Sequence, residues 1–311
     1  MINIRWDPVI ALLQEQRFAD AIVRLDAVSH GDPTDVEAYL LRAVAQMQLG
    51  LTKLAEANLW RALVIDPHAG GIRAALGDRF IQDLVAHDDL PNFELNSGER
   101  QTSPQLAMIR RDHSARYEFA ARWLRQHLQH PQDATGFDLF CGNGYGARIL
   151  ADRCGARIIG IDGSAPAIAL AETAYGGHRV VFRQACFPFE LSEKSTDFAV
   201  CFESIEHVED CDDFLRKVGQ ATTGPILLSF PLETGLPFEV NRDLFRFHTR
   251  HFTADEMAEK LLRLTGRRVT ETRGQIVYHV HDGRMSGLLD PSQMELSRLR
   301  DDSQFGLVIA V

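Results

Sequence analysis

The chain predicts an α/β domain built on a mostly parallel sheet, preceded by a small all-α domain. Three observations predict it. A glycine-rich turn, Gly136 to Gly146 (GFDLFCGNGYG), joins a short apolar strand to a helix; apolar runs alternate with amphipathic helices beyond it; and the first part of the chain repeats with a helical period of 34 residues. The 311 residues are 45% hydrophobic, enough for two cores.

The turn comes first because everything downstream counts from it. Phe137 to Cys141 suit a buried parallel strand, and Ala147 to Ala151 begin a helical pattern. Gly142, Gly144 and Gly146 lie between, where missing Cβ atoms let a ligand approach the main chain and the free N–H groups of a helix start. A dinucleotide turn reads G-x-G-x-x-G, whereas these glycines fall as G-x-G-x-G after Asp138. That form resembles the first motif of class I S-adenosylmethionine (SAM) methyltransferases. A second apolar run, Arg157 to Ile161, ends in Asp162, placed to accept ribose hydroxyls from any adenosine cofactor.

The likeness extends along the chain. Ala165 to Tyr175 reads as a crossover helix, Arg179 to Phe182 as a third strand, and Gln184-Ala185-Cys186-Phe187-Pro188-Phe189 as the adenine-side loop. The fourth strand runs through Asp197-Phe198 into E-x-x-E-H-V, from Glu203 to Val208, which resembles the fourth-motif region of small-molecule and glycan SAM methyltransferases. The resemblance covers about residues 113 to 311. It implies a Rossmann-like, seven-stranded sheet whose last strand, Phe305 to Val311, inserts antiparallel beside the fifth, Pro225 to Phe230. It also implies that Asp138, Gly142, Gly144 and Tyr145 hold the methionine end of SAM, Asp162 the ribose, and Gln184 with Ala185 the adenine. Gln184 replaces the common Asp, and Phe140 stands where the family has Gly or Ala, so it either packs under the turn or narrows the site.

If a helical turn begins at Glu203, then Glu203, Glu206 and His207 share one face, and two carboxylates with an imidazole make a divalent-metal site for Mg, Mn or Zn. The triplet resembles the metal motif of small-RNA 2′-O-methyltransferases and ubiquinone-pathway O-methyltransferases. His248, in Arg246 to Phe252, is the candidate fourth ligand. The plainer reading is a strand ending in a charged cap, with His207 a satisfied structural histidine. A sulfonium donor leaves readily, so the enzyme mainly aligns acceptor and methyl, but a hydroxyl acceptor needs a base or a metal. His207 is the first candidate base and His248 the second. O-methylation of a small-molecule or glycan hydroxyl is the expected activity. A NAD-dependent enzyme and a non-enzymatic scaffold with a vestigial cofactor domain are the alternatives.

Before the turn, a shift of 34 aligns Ala11 with Ala45, Ala21 with Ala55, Leu25 with Leu59 and Asp32-Pro33 with Asp66-Pro67. This resembles the tetratricopeptide pattern, best in Val36 to Ala69, with a third unit from Gly70 that dissolves after Leu76-Gly77. So few repeats bury their face poorly alone and are expected to lean on the catalytic domain or on another copy, or to dock a protein partner. Residues 1–88 form this module, 89–112 a turn-rich linker, and 113–311 the methyltransferase domain, opened by an amphipathic helix over Ser114 to His130. After a capped helix from Thr253 to Leu264 and a sixth strand from Arg267, the stretch Gln275 to Asp302 reads as an insertion at the substrate mouth or an interface, or as a solvated decoration.

A net charge of −10 and a pI near 5.6 argue against a constitutive nucleic-acid binder, though an RNA substrate stays open. Early charges and the lack of any apolar run near about 18 residues give no membrane partner and a cytoplasmic expectation. Cys141, Cys154, Cys186, Cys201 and Cys211 are dispersed and read as reduced thiols.

Overall fold

The computed structural model describes residues 4–31, 35–65, 103–192, 194–242, 244–245, 247–281 and 283–311. The expected third repeat unit from Gly70, Asp66-Pro67, and most of the expected linker lie outside the described residues.

Four helices come first: α1 (Asp7–Gln14), α2 (Phe18–Gly31), α3 (Val36–Gln48) and α4 (Thr52–Ile65). Asp35 opens α3 by accepting a hydrogen bond from the Ala38 amide at 3.1 Å, satisfying one of the donors a helix start leaves free. Trp6, Val9, Ala21, Leu25 and Ala38 form a small core among the first three helices. The α3 and α4 faces carrying Tyr39, Ala43, Ala55, Leu59, Ala62 and Ile65 do not face water. They pack on Leu236, Phe245, Val277, Tyr278, Met285 and Phe305 of the following domain, each large side chain contributing roughly 1.5–3 kcal/mol by burial. The helices therefore lean on the domain, as so short an array must.

The α/β domain opens with α5 (Arg111–His127), three residues earlier than expected. The strands are β1 (Thr135–Leu139), β2 (Arg157–Asp162), β3 (Val180–Gln184), β4 (Phe198–Phe202), β5 (Ile226–Pro231) and β6 (Val269–Gln275), with β9 (Ser297–Arg298) and β10 (Phe305–Ala310). They form one sheet in the order β3-β2-β1-β4-β5-β10-β6-β9. The first five are parallel, and β10 runs antiparallel between β5 and β6, pairing Val308 with Leu228 on one side and with Thr272 on the other. Every residue of β4, β5 and β10 is buried, as strands covered on both faces require.

Helices α6 (Tyr145–Cys154) and α7 (Ala165–Tyr175) cross over between the early strands, and α8 (Cys211–Ala221) follows β4. The short α9 (Phe238–Asn241) and α10 (Ala254–Thr265) come after β5, and α10 is capped by Thr253 accepting from the Glu256 amide at 3.1 Å. The first apolar layer takes Phe214, Leu215 and Val218 of α8 with Met257 and Leu261 of α10; the second takes Ala120, Ala121 and Leu124 of α5 with Leu150 of α6.

The sheet has eight strands rather than seven. The extra one, β9, holds two residues that pair with Gly274 and Arg273 at the outer edge of β6, too short to leave an alternation in the sequence. It belongs to the stretch after Gln275, which also folds a separate hairpin of β7 (Tyr278–His281) and β8 (Arg284–Leu288). That stretch is the seat of the N-terminal helices rather than a solvated decoration.

Gly144 caps α6 with φ +87°, and a Cβ there would lie 2.4 Å from the Phe182 ring and 2.9 Å from the Ala171 methyl. Gly144→Ala is expected to lose about 2–4 kcal/mol from the combined backbone strain and overpacking. Urea denaturation checks this, and an unchanged midpoint would show that the turn relaxes freely.

Candidate functional site

Strand order reverses between β1 and β4, which run on to opposite sides of the sheet and leave a crevice at their carboxyl ends. A cavity of about 580 Å³ opens there. Its wall takes Phe140, Gly142 and Tyr145 from the turn, Asp162 from the end of β2, Phe202 and Glu203 from the end of β4, and His207 from the 3-10 turn Ile205–His207.

Of the residues assigned to the donor, Gly142, Tyr145 and Asp162 line this cavity. Asp162 braces the turn as well as facing the crevice, since its Oδ2 accepts from the Gly142 amide at 2.9 Å and its Oδ1 from the Ser164 amide at 2.8 Å. Asp138 and Gly144 lie behind the wall instead. Gly144 shapes the turn, and Asp138 is fully buried with Oδ1 accepting from the Tyr117 hydroxyl at 3.0 Å. Gln184 ends β3 rather than standing in a loop, and its amide points to the Gly163 carbonyl at 3.4 Å; neither it nor Ala185 lines the cavity, whereas Cys186, Phe187 and Pro188 do. Phe140, with φ +57°, packs on Phe189 and Phe214 at 5.7 and 5.3 Å between ring centres, forming a side wall that leaves the cavity open.

The E-x-x-E-H segment divides. Glu203 has φ +50° and precedes the single 3-10 turn, so the helical face expected to join it to Glu206 and His207 does not form. Its Oε1 accepts from the Ser229 hydroxyl at 2.8 Å and faces Arg116 at 3.7 Å. Glu206, His207 and His248 do come together, with one ligand atom from each within 4.8 Å of the others. The loop carrying His248 is held there because both the amide and the hydroxyl of Thr249 donate to the Glu206 carbonyl at 2.8 Å.

Backbone acceptors set the imidazole tautomers. The Phe247 carbonyl, 2.9 Å from His207 Nδ1, can only accept, so Nδ1 carries a hydrogen and Nε2 is the acceptor of the ring in its neutral form. The Leu236 carbonyl does the same to His251 Nδ1 at 2.7 Å, His251 Nε2 accepts from His248 Nδ1 at 2.9 Å, and His248 Nε2 is left with its lone pair. Burial pushes His251 down to about 4 and His248 well below the usual imidazole range, so this relay is neutral at pH 7. Two lone pairs and a carboxylate facing each other are a donor set that suits a divalent ion.

Helix α5 supplies His113, Arg116 and Tyr117 to the cavity wall; the sequence pattern placed Tyr117 on the apolar face of this helix and singled out neither His113 nor Arg116. Arg110 Nε and Nη2 each donate to a carboxylate oxygen of Asp112 at 2.7 Å. Burial pushes Asp112 up, but Arg110, His113 and Arg116 outweigh it and hold the carboxyl far below its ordinary range. Burial also pushes His113 down to about 3, so its ring is neutral beside Tyr145, 3.2 Å away. An isolated arginine near an apolar helix face carries no sequence signal of this, because its partners Gln275 and Glu203 are far along the chain. None of the five cysteines is in a disulfide, and Cys141 stands in the cavity wall.

The doubly wound sheet, the glycine turn and the crevice at the strand reversal make up a Rossmann-like α/β domain. Residues 137–223 match the model of a family described as a methyltransferase domain. Two Mycobacterium tuberculosis proteins, each named Probable S-adenosylmethionine-dependent methyltransferase, are 35% identical over 126 residues, 39% of this chain and 44% of each of them. A Mycolicibacterium smegmatis protein of the same description is 35% identical over 171 residues, 50% of this chain and 63% of that protein. The chain spans about half the length of these curated relatives. Among solved structures, a SAM-dependent methyltransferase from Mesorhizobium loti is similar with a TM-score of 0.47 and 21% identity, covering 62% of this chain and 99% of that one.

Burial, opposed by the Tyr117 hydroxyl and the Ala147 amide, pushes the Asp138 carboxyl up to about 7. An unfolded aspartate ionises near about 4, so from there to about 7 the native state holds a proton the unfolded chain has lost. The contribution is full below that window and is lost as pH rises through it. Urea midpoints for wild type and Asp138→Asn across pH 5 to 8 should show a downward slope in the wild type that the variant flattens; parallel curves would mean Asp138 is ionised throughout.

Proposed function

We propose that this chain transfers a methyl group from SAM to a hydroxyl of a small-molecule or glycan acceptor. The observation that carries the reading is one cavity running from the glycine turn, with Gly142, Tyr145 and Asp162, to the Nε2 lone pair of His207. SAM is the donor in the names of the curated relatives. It supplies a methyl group on a sulfonium, a good leaving group already, so the protein's work is alignment and exclusion of water. The Asp162 carboxylate suits the ribose hydroxyls and the Phe140, Phe187 and Phe202 rings keep the wall dry. A hydroxyl acceptor gives up a proton, and His207, its ring fixed by the Phe247 carbonyl, is the base placed to take it. Its tautomer is the one a base requires.

The relay through His251 favours a second reading of the same residues. Glu206, His207 and His248 would hold a divalent ion, which would lower the pKa of a coordinated hydroxyl, and His207 would then be a ligand. Glu203 stays outside that set. The 34-residue period and the paired α3 and α4 support a tetratricopeptide-like reading of the N-terminal helices. No helix among the described residues is long and apolar enough to cross a membrane.

Calorimetric titration tests the donor. S-adenosylhomocysteine should bind the metal-stripped protein at micromolar strength while NADH does not; the reverse would replace the methyltransferase reading with a dehydrogenase one, and no binding of either would favour a scaffold. Titration with Mg, Mn or Zn separates the two readings of His207. Heat that vanishes in both His248→Ala and Glu206→Gln supports the metal, and no heat in the wild type leaves His207 as the base.

A further inference from the structure

Beside the main cavity lies a smaller cleft of about 70 Å³, and His113, Arg116, Glu203 and His207 line both. Its remaining wall includes Arg61 and Ile65, which belong to α4 of the N-terminal helices. A side chain from the first domain thus borders the acceptor end of the site.

Three guanidiniums line the cleft, and two are engaged. Arg110 forms its two-pronged bond to Asp112. Arg116 donates to the Gln275 side chain at 2.7 Å, covers the Phe305 ring at 4.6 Å and stands 3.7 Å from Glu203. Arg61 differs. It is only 6% exposed and rests on the Tyr39 ring at 5.2 Å, but shares no ion pair or hydrogen bond with a carboxylate among the described residues. Arg42 provides the contrast, since it reaches the same ring at 5.8 Å and is paired with Asp26 at 2.6 Å.

With only that ring beside it, the Arg61 guanidinium has no acceptor among the described residues, so its donors are left for water or for an anion that enters the cleft it lines. The carboxylates of the cleft do not answer it: Asp112 is held by Arg110, Glu203 by Ser229 and Arg116, and Glu206 faces His207 and His248. The cleft is roomy enough for one small oxyanion, and a planar fork of donors matches a carboxylate or a phosphate.

We propose that Arg61 binds an anionic group, a carboxylate or a phosphate, on the methyl acceptor, so that the N-terminal helices complete the acceptor site. The word acceptor rests on the methyltransferase reading above; the anion site itself does not. In this account the helical module is a substrate-binding element, and acceptors lacking the anion are poor ones.

The test uses the full chain, freed of chelator, titrated with sodium phosphate and separately with sodium acetate at constant ionic strength, with and without saturating S-adenosylhomocysteine. One or both anions should bind saturably. Arg61→Gln and Arg61→Met, the latter keeping the apolar stem on Tyr39, should each weaken that binding about tenfold or more, and Arg61→Lys, which keeps the charge but loses the planar fork, should weaken it by less than either neutral variant. S-adenosylhomocysteine affinity and the melting temperature, followed in the same samples, should be unchanged in the Met and Lys variants. Stronger binding of phosphate identifies a phosphorylated acceptor, and stronger binding of acetate a carboxylate one. Anion binding that survives both neutral variants, or no saturable binding of either anion to the wild type, overturns the proposal. Failure to bind S-adenosylhomocysteine overturns the donor reading alone, since the anion titrations are read without it.

Discussion

Reversal of strand order between β1 and β4 is the constraint on which the rest of this structure depends. Crossovers to the two sides leave the carboxyl ends of these strands uncovered, and the residues there cannot satisfy their polar groups by continuing a ladder. Gly142 is tied to Asp162 across that gap, so the turn and the second strand hold each other in position. The cavity is what remains between them. Glu203 and His207 enter it because β4 stops there and the chain makes one tight turn before α8.

A buried polar network joins this crevice to the rest of the molecule. Arg110, Asp112 and Arg116 lie at the start of α5, and Gln275 ties them onward by donating to the Asp112 and Met294 carbonyls at 3.0 and 2.6 Å. Gln304 adds a second clamp, accepting from the Val277 and Tyr278 amides at 2.8 Å each. Buried charge of this kind does little for net stability, since desolvation offsets the attraction, but it penalises every arrangement that leaves a partner unmatched. The stretch after β6 is thereby held in one position, and it is on that stretch that α3 and α4 sit. The site, the insertion and the N-terminal helices form a connected structure in which displacing one would expose charges in another.

Much of this was legible from local pattern. The strand, turn and helix around Gly142, the acidic end of β2 and the Thr253 cap follow from residues close together in the chain, and the burial of the last strand from its continuous apolar run, whereas its antiparallel direction was implied by the family resemblance. Errors arose where a reading required a local geometry that the surroundings overrode. Spacing placed Glu203 with Glu206 and His207, but the backbone at Glu203 leaves the strand with positive φ and the turn starts two residues later. At Gln184 a strand end at a sheet edge has the same composition as the loop that follows, so local pattern does not separate the two.

The sequence by itself determined the class of domain, the glycine turn and the candidate chemistry of His207, because these depend on residue type and on spacings within about one supersecondary unit. Only the tertiary structure decided which groups meet. His248 reaches His207 through hydrogen bonds of Thr249 to a carbonyl 43 residues earlier, its tautomer is set through His251, and Arg61 of the N-terminal helices lines the cleft beside the main cavity. Such contacts are selected by the packing of whole elements and by the cost of leaving buried polar groups unmatched, and no local spacing encodes them.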